Sequence, residues 1–571
     1  VYKEKSLAWA ALWLLFLFSG LYFQNNLGGF GLQLAFNNVV WFSAAIFIVL
    51  AIFSATTQRF WLIPSQWLSY FFLFFLLFLP LAWSGDNGLL ALGRLIGVII
   101  GLLFLFSLFQ LFDIKQDEKA LLFLFVASAS LQCIIGICQF FQLPFILDGY
   151  NKGFYAVPLG IFQHHTLLPT YAVSAAMASL WLLFRHNEFS WRYGNVLWWC
   201  VIGSCLISCG FCVYIILART GILAMACALF LMLFVKKYYK RNSIIGLSLL
   251  LAGLFLGFLA TDWIQTQSHS VWRDGDQVLS SNGRSAIWFV AWQLFEHHWL
   301  TGVGLGNFEH AFAEQRALTF YQTGVLSLKN VSHPHNELLF WADEGGIFPV
   351  LGILFFCFYF FYRIKSIGCD MFAYLAMLLP MILHCLTEYP FYHSALHWFA
   401  FLLLLYLAEA KMSYHVMRKA VIFPFALRML SVILLVSGGL FLITNLYSMA
   451  KLTQVVEIGN SKDKIKSPLL PLLDIANPVV FQHQIVTIVM NAKLQLALKD
   501  KDRKELQEFI DWGWQFSQIV VRPETFAGMI KAAQALGDKQ QVDLIVKNAH
   551  WLYPEMAVFN PDNFTSIENN R

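Results

Sequence analysis

The chain has 571 residues, of which 59% are hydrophobic and 12% charged, against the roughly 45–50% and 25% of a soluble globular domain. That balance excludes a soluble protein, a disordered chain and a nucleic-acid binder, because neither a solvated polar tract nor a basic stripe is present. The formal net charge is +5, and since basic and acidic side chains balance from residue 449 onward, the excess lies in the apolar portion, where it bears on membrane orientation.

Apolar runs begin near Leu7, Val39, Trp67, Leu89, Lys119, Leu168, Asn195, Thr220, Ser243, Gly346, Met371, Ser394 and Arg428. A helix rising ~1.5 Å per residue crosses ~30 Å of hydrocarbon in about 20 residues, so these runs predict an all-α polytopic membrane protein with about thirteen transmembrane helices. The first run shows no Ala-x-Ala-like cleavage site and reads as an uncleaved span. With the N-terminus in the cytoplasm, the cytoplasmic loops carry Arg59, Lys115, Lys119, Arg185, Arg192, the Lys236–Arg241 cluster, Arg363, Lys365, Lys411, Arg418 and Lys419, while the opposite short loops carry chiefly Lys152 and Arg219. The positive-inside rule fixes the orientation on that asymmetry.

Two polar segments then face outward, residues 262–345 and about 450–571. The expected organisation is a membrane domain over 1–448 and a helical C-terminal domain over 449–571. In the latter, Lys504–Val520 and Pro523–Leu552 show helical spacing around a Gly537-Asp538 turn, resembling tetratricopeptide-type hairpins that hold a partner or brace the membrane part. Most cysteines lie inside apolar runs, so no disulfide framework is implied, and Cys209 and Cys212 read as helix-packing residues.

Charged groups at membrane depth are costly, by about 2.5–3.5 kcal/mol on insertion scales. Arg94, about six residues into the fourth expected span, is either a snorkelling side chain or an anion site just below the surface. Arg219, in Leu217-Ala-Arg-Thr-Gly221, and Arg284, in Ser281-Asn-Gly-Arg-Ser-Ala-Ile-Trp288, stand on the face the positive-inside rule disfavours. Either they anchor to headgroups or their planar forks bind diphosphate. In His333-Pro-His335-Asn-Glu337, a histidine at a helix mouth with carboxylates nearby suits a general base, and a helix-capping histidine is the alternative.

Gly302-Val-Gly-Leu-Gly306-Asn307 looks like a phosphate loop, yet no strand precedes it, and a re-entrant or hinge turn is the expectation. Asp274-Gly-Asp276 imitates a metal-binding acidic pair without the surrounding nucleotide-binding pattern. The outward histidines His164, His165, His297, His298, His333 and His335 lack the His-Glu-x-x-His spacing of zinc hydrolases, so no metal site is expected.

Taken in order, Gly160-Ile-Phe-Gln163-His-His165, Ala218-Arg219-Thr-Gly221, Gly283-Arg284-Ser-Ala-Ile-Trp288, Gly302-Val-Gly-Leu-Gly306-Asn307-Phe308, His333-Pro-His335-Asn336-Glu337 and His384-Cys-Leu-Thr-Glu388-Tyr-Pro390 resemble the O-antigen ligase/polymerase superfamily. Within it, order and length look most like the bacterial PglL-type protein O-oligosaccharyltransferases, pilin-specific ligases included. The resemblance covers residues 155 to 400 by motif and the whole chain by layout. His165 stands where the family has Asn, which leaves the role of that position open.

The resemblance implies a multi-pass enzyme of the bacterial inner membrane, with its active site and C-terminus facing the periplasm. It would move an oligosaccharide from undecaprenyl pyrophosphate to a Ser or Thr hydroxyl of an acceptor protein such as a pilin. His335 would be the base, with Arg219 and Arg284 stabilising the departing diphosphate. Gln163, Tyr392, Arg94 and Glu388 would contact substrate. The partners implied are the lipid-linked donor, the acceptor protein and membrane lipids; no nucleic acid, cofactor or metal is needed, since the donor carries the energy.

The second reading is an O-antigen ligase or glycan polymerase with a lipid A core or glycan acceptor. Such enzymes usually lack a long tail, so the tail favours a protein acceptor. A lipid-linked sugar transporter without chemistry would instead line a central path with charge, whereas here the unusual cations gather at one face.

Overall fold

The computed structural model describes residues 2–143, 157–185, 195–235, 241–267, 282–324, 330–412, 416–460 and 469–561. The first helices are α1 (Tyr2–Trp13), α2 (Ala35–Gln58), α3 (Trp67–Phe78), α4 (Leu92–Leu111), α5 (Ile114–Phe140), α6 (Leu167–Phe184), α7 (Asn195–Ile216), α8 (Arg219–Met232) and α9 (Arg241–Gln267). There follow α10 (Asn282–His297), α11 (Phe308–Thr323), α12 (Glu337–Gly345), α13 (Ile347–Ile364), α14 (Met371–Cys385), α15 (Ala395–Met412) and α16 (Pro424–Asn460). The last are α17 (Gln482–Asp500), α18 (Arg503–Ser517), α19 (Pro523–Leu536) and α20 (Lys539–Leu552).

The chain is an all-α polytopic membrane protein. Long uncharged runs form helices because only internal hydrogen bonding satisfies a backbone surrounded by hydrocarbon. Among the described residues, 10 helical stretches are long and apolar enough to cross a membrane, against the thirteen expected. The difference has a physical source. One 39-residue stretch, Ile347–Cys385, contains both α13 and α14. Two expected spans, α3 and α8, have only 12 and 14 residues, which at ~1.5 Å per residue fall well short of ~30 Å. A small ribbon was also not anticipated: β1 (Phe60–Pro64) pairs antiparallel with β2 (Val416–Ala420), Phe60 opposite Ala420 and Pro64 opposite Val416. Lys152, Arg192, residues 236–240 and Asp274-Gly275-Asp276 lie outside the described residues.

One compact unit comprises residues 1–70, 96–279 and 356–480. Its centre is α6, buried along its whole length and packed by α5, α7, α8, α9 and α14. Ala172, Ser174, Ala175, Ala176, Ala178 and Ser179 keep its surface small, which lets neighbouring backbones approach. The tightest pair is α7 with α9: a Cβ on Gly210 would meet Leu250 O at 2.3 Å, and one on Gly253 would meet Ile207 O at 2.1 Å. Cys133, Cys205, Cys209 and Cys212 are buried here and unbridged. The Glu118 carboxylate of α5 is enclosed by Tyr374 Oη at 2.5 Å, Lys411 Nζ at 3.0 Å and Arg185 Nη1 at 3.2 Å.

The second unit comprises residues 71–95, 280–355 and 481–571. Here α17 to α20 pack consecutively, around Leu506, Phe509, Ile510, Met529, Ile545 and Ala549. The Gly537-Asp538 turn read from the sequence ends α19 and starts α20: Gly537 is left-handed (φ 74°), and the Asp538 carboxylate accepts the Gln541 N–H at 3.0 Å. Helix α17, which precedes the segments read as helical, completes the pairing. Helix α11 joins the same core: Arg316 donates to the Leu552 carbonyl and meets Glu555 at 3.1 Å.

Candidate functional site

In the second unit, His333–Glu337 forms a turn leading into α12. Asn336 is the N-cap, its side-chain oxygen accepting the Leu339 N–H at 3.1 Å. His335, immediately before it, has φ 55°, a left-handed backbone that costs a residue with a Cβ about 1–2 kcal/mol. His333 holds it there: its Nδ1 accepts the His335 backbone N–H at 3.0 Å. Because Nδ1 accepts, the ring proton sits on Nε2, which faces Glu337 Oε2 at 3.4 Å. The other Glu337 oxygen accepts the Trp341 indole N–H at 2.9 Å. Burial pushes His333 below the ordinary histidine range against the opposing pull of Glu337, so the ring stays neutral and remains an acceptor near pH 7. The His335 ring is partly exposed and edge-on to His333, centroids 6.5 Å apart.

At the other end of α12 the glycine-rich segment folds onto the chain itself. Val303 N–H donates to Asp343 O at 2.8 Å, Gly304 N–H to Glu344 O at 2.9 Å, Leu305 N–H to Ser84 Oγ at 2.7 Å, and Gly306 N–H to Glu344 Oε1 at 2.9 Å. Gly302, Gly304 and Gly306 are left-handed, and a Cβ on Gly302 would lie 2.4 Å from the Glu344 carbonyl carbon. The amides that a phosphate loop would present are therefore engaged, and the segment is a turn, as expected. The second Glu344 oxygen pairs with Arg94, whose guanidinium carbon lies 4.5 Å from the Phe340 centroid and 4.3 Å from that of Trp341. With 9% of its side chain exposed, Arg94 does not snorkel; the anion beside it is the chain's own. Burial and the Glu344 charge push the Asp343 carboxyl well above the usual carboxylate range. Arg284 opens α10, which packs against α12.

In the first unit, residues 159–161 are cradled by two glutamines of α5. Gln139 Oε1 accepts the Leu159 and Gly160 N–H groups at 2.8 and 2.9 Å, and Gln132 Oε1 accepts Ile161 N–H at 2.9 Å. Gln163 then sits at a left-handed apex, φ 57°. Beyond it four rings stack in sequence. His165 lies on His164 at 5.0 Å, His164 on His393 at 5.0 Å, and His393 on Tyr389 at 4.6 Å. Tyr392 is edge-on to Tyr389 at 6.2 Å. His384 joins Thr170 Oγ1 at 2.7 Å and Thr166 Oγ1 at 3.2 Å. Thr387 and Thr220 hydroxyls meet at 3.0 Å, so Glu388, which is buried, and Arg219, which is exposed, flank one contact.

Gln163, Arg219, Glu388 and Tyr392 are thus gathered by the first unit, and Arg94, Arg284 and His335 belong to the second. Arg219 is the first residue of α8 and Arg284 the third of α10, each adding a cation where the helix dipole is already positive. Such placement repels cations and attracts anions. Sequence reasoning missed Gln132 and Gln139, whose i, i+7 spacing on an apolar helix could have disclosed them. It also missed Tyr389 and His393 as ring partners, for which no local pattern exists. The described residues include no group of three or more His, Cys, Asp or Glu arranged for a metal.

Residues 204–357 match the family described as O-antigen ligase, and residues 372–560 match that of the virulence factor membrane-bound polymerase, C-terminal. Both matches support the O-antigen ligase/polymerase superfamily and, with it, a membrane enzyme of glycan transfer. Such an enzyme works between a lipid-linked glycan donor and an acceptor. The first match contains Arg219, Arg284 and His335, and the second contains Glu388 and Tyr392. No curated protein matches the chain.

Proposed function

We propose that the chain moves an oligosaccharide from undecaprenyl pyrophosphate to a Ser or Thr hydroxyl of a periplasmic acceptor protein, with a pilin as the acceptor. The observation that carries this reading is His335, held at a left-handed apex by the neutral, carboxylate-backed His333. A hydroxyl is a poor nucleophile until a base accepts its proton. As the hydroxyl oxygen bonds to the anomeric carbon, His335 takes the proton, the bond from that carbon to the diphosphate oxygen breaks, and its electron pair leaves with undecaprenyl pyrophosphate. Arg219 and Arg284, each at a helix N-terminus, stabilise the charge growing on the diphosphate. Gln163, Tyr392 and Glu388 contact the substrate, and Arg94 acts through Glu344 to set α12 beneath His335. The reaction runs without a metal. The protein sits in the inner membrane, with residues 1–448 as the transferase domain and the tail from 449 facing the periplasm.

One observation favours a glycan acceptor instead. The polymerase family match runs to residue 560 and so covers the tail, which removes the tail as an argument for a protein acceptor. Purified protein with lipid-linked glycan and either pilin or a glycan acceptor, read by intact mass, separates the readings. One added glycan mass on pilin supports the proposal; lengthening of the lipid-linked glycan supports polymerisation; donor moved across a bilayer without transfer supports a transporter.

A further inference from the structure

Apart from these segments, the second unit contains a cavity of about 370 Å³ between the end of α10, the middle of α11 and the end of α20. The buried Leu294 and the part-exposed Trp551 line it together with His297, His298, Glu314 and Gln315, which supply polar atoms. Trp551 is 41% exposed, and its indole stacks on Tyr321, centroids 4.8 Å apart and planes 6° apart.

The polar side chains are pre-set by a directional chain of hydrogen bonds. Thr319 Oγ1 donates to Gln293 Oε1 at 2.5 Å, and Gln315 Nε2 donates to Thr319 Oγ1 at 3.3 Å. Gln315 Oε1 must then accept, so His297 Nδ1 at 2.9 Å carries a proton, and in the neutral ring Nε2 is left as the acceptor. Glu314 lies 3.3 Å from His310 Nε2, which holds its carboxyl below the usual range, so it too is an acceptor at neutral pH. No Lys or Arg lines the cavity among the described residues. A phosphate or carboxylate ligand would find no guanidinium or ammonium group in the lining and would meet Glu314. A fixed aromatic face with convergent hydrogen-bond acceptors suits a neutral ligand that has an apolar face and many hydroxyl donors.

We propose that this cavity is a carbohydrate subsite, taking one saccharide unit of the glycan with its C–H face on Trp551 and its hydroxyls on His297 and Glu314. The assignment rests on the proposed function only in taking that saccharide from the glycan being transferred. It makes the α11–α20 junction a specificity element that senses sugars beyond the one bonded to diphosphate.

The test uses full-length protein with Trp551→Ala and, as a milder change, Glu314→Gln. The donors are lipid-linked oligosaccharide extracted from the source cells and the same lipid trimmed enzymatically to its first sugar. KM for the full donor is expected to rise at least roughly fivefold in each variant, through loss of the stacking face in one and of the charged acceptor in the other, while KM for the trimmed donor stays within error of wild type. Equal KM for the full donor in wild type and both variants overturns the subsite, as does an equal rise for both donors. If wild-type protein transfers neither donor, the proposed function fails, and direct titration with the free oligosaccharide released by mild acid decides the subsite: weaker binding by both variants sustains it, unchanged binding overturns it.

Discussion

His333 Nδ1 accepts the backbone N–H of His335 at 3.0 Å, so the two histidines of one motif have opposite duties, one fixing the turn and one standing at its apex. His335→Ala is expected to abolish transfer while donor binding persists, because removing the proposed base affects the transition state and not the diphosphate contact. His333→Ala should lower turnover by loosening the apex, and His333→Asn, which offers an amide oxygen near the Nδ1 position, should recover part of it. Single-turnover rates beside lipid-donor binding check this; near wild-type transfer by His335→Ala moves the base elsewhere.

A pH dependence of stability follows from the same ring. Unfolded, His333 takes its proton near 6.5; folded, burial lowers that value. Between the two the unfolded chain binds more protons, so this contribution is complete above 6.5 and is lost as pH falls through the folded value. Thermal unfolding of detergent-solubilised protein should show a destabilisation below pH 6.5 that is smaller in His333→Asn than in wild type.

Arg219→Lys and Arg284→Lys keep a charge but lose the bidentate fork. Each should weaken both donor affinity and turnover, by about 1.5–3 kcal/mol per lost charge-assisted bond. Unchanged binding and transfer in both would make these side chains headgroup anchors.

Glu344→Gln retains an acceptor for the Gly306 N–H but strips Arg94 of its counter-charge. Breaking an enclosed pair from one side costs roughly 3–5 kcal/mol, so the variant should unfold at markedly lower denaturant. Adding Arg94→Leu should restore part of the loss, which a simple packing defect would not do.

Transfer is expected to survive EDTA, because the proposed mechanism uses Arg219 and Arg284 where other transferases place a divalent ion. Loss of activity in EDTA and its return with Mg²⁺ or Mn²⁺ would replace this mechanism with a metal-dependent one.

Much of the architecture was legible because burial in hydrocarbon writes long uninterrupted runs, as in α2, α5 and α9. The runs at Trp67 and Thr220 misled because composition reports apolarity, while the Pro80-containing 3-10 segment after Phe78 and the turn after Met232 decide where a helix stops. The His333–Glu337 segment was singled out from its sequence, but not the way His333 holds the His335 turn, which depends on a φ value and a ring tautomer. The glycine segment hid its purpose because its amides are met by Asp343 and Glu344, far along the chain. Helix α17 went unread since its weak amphipathic pattern is completed only by α18 and α19.

Arg94 and Glu344 are separated by 250 positions in the chain. During synthesis, α4 therefore enters the bilayer carrying a cation whose counter-ion has not yet been made, and the deficit lasts until α12 leaves the ribosome and the Gly302–Gly306 turn closes over it. Until then Arg94 lacks the carboxylate that pairs with it in the finished fold, a cost of about 2.5–3.5 kcal/mol for a cation at membrane depth.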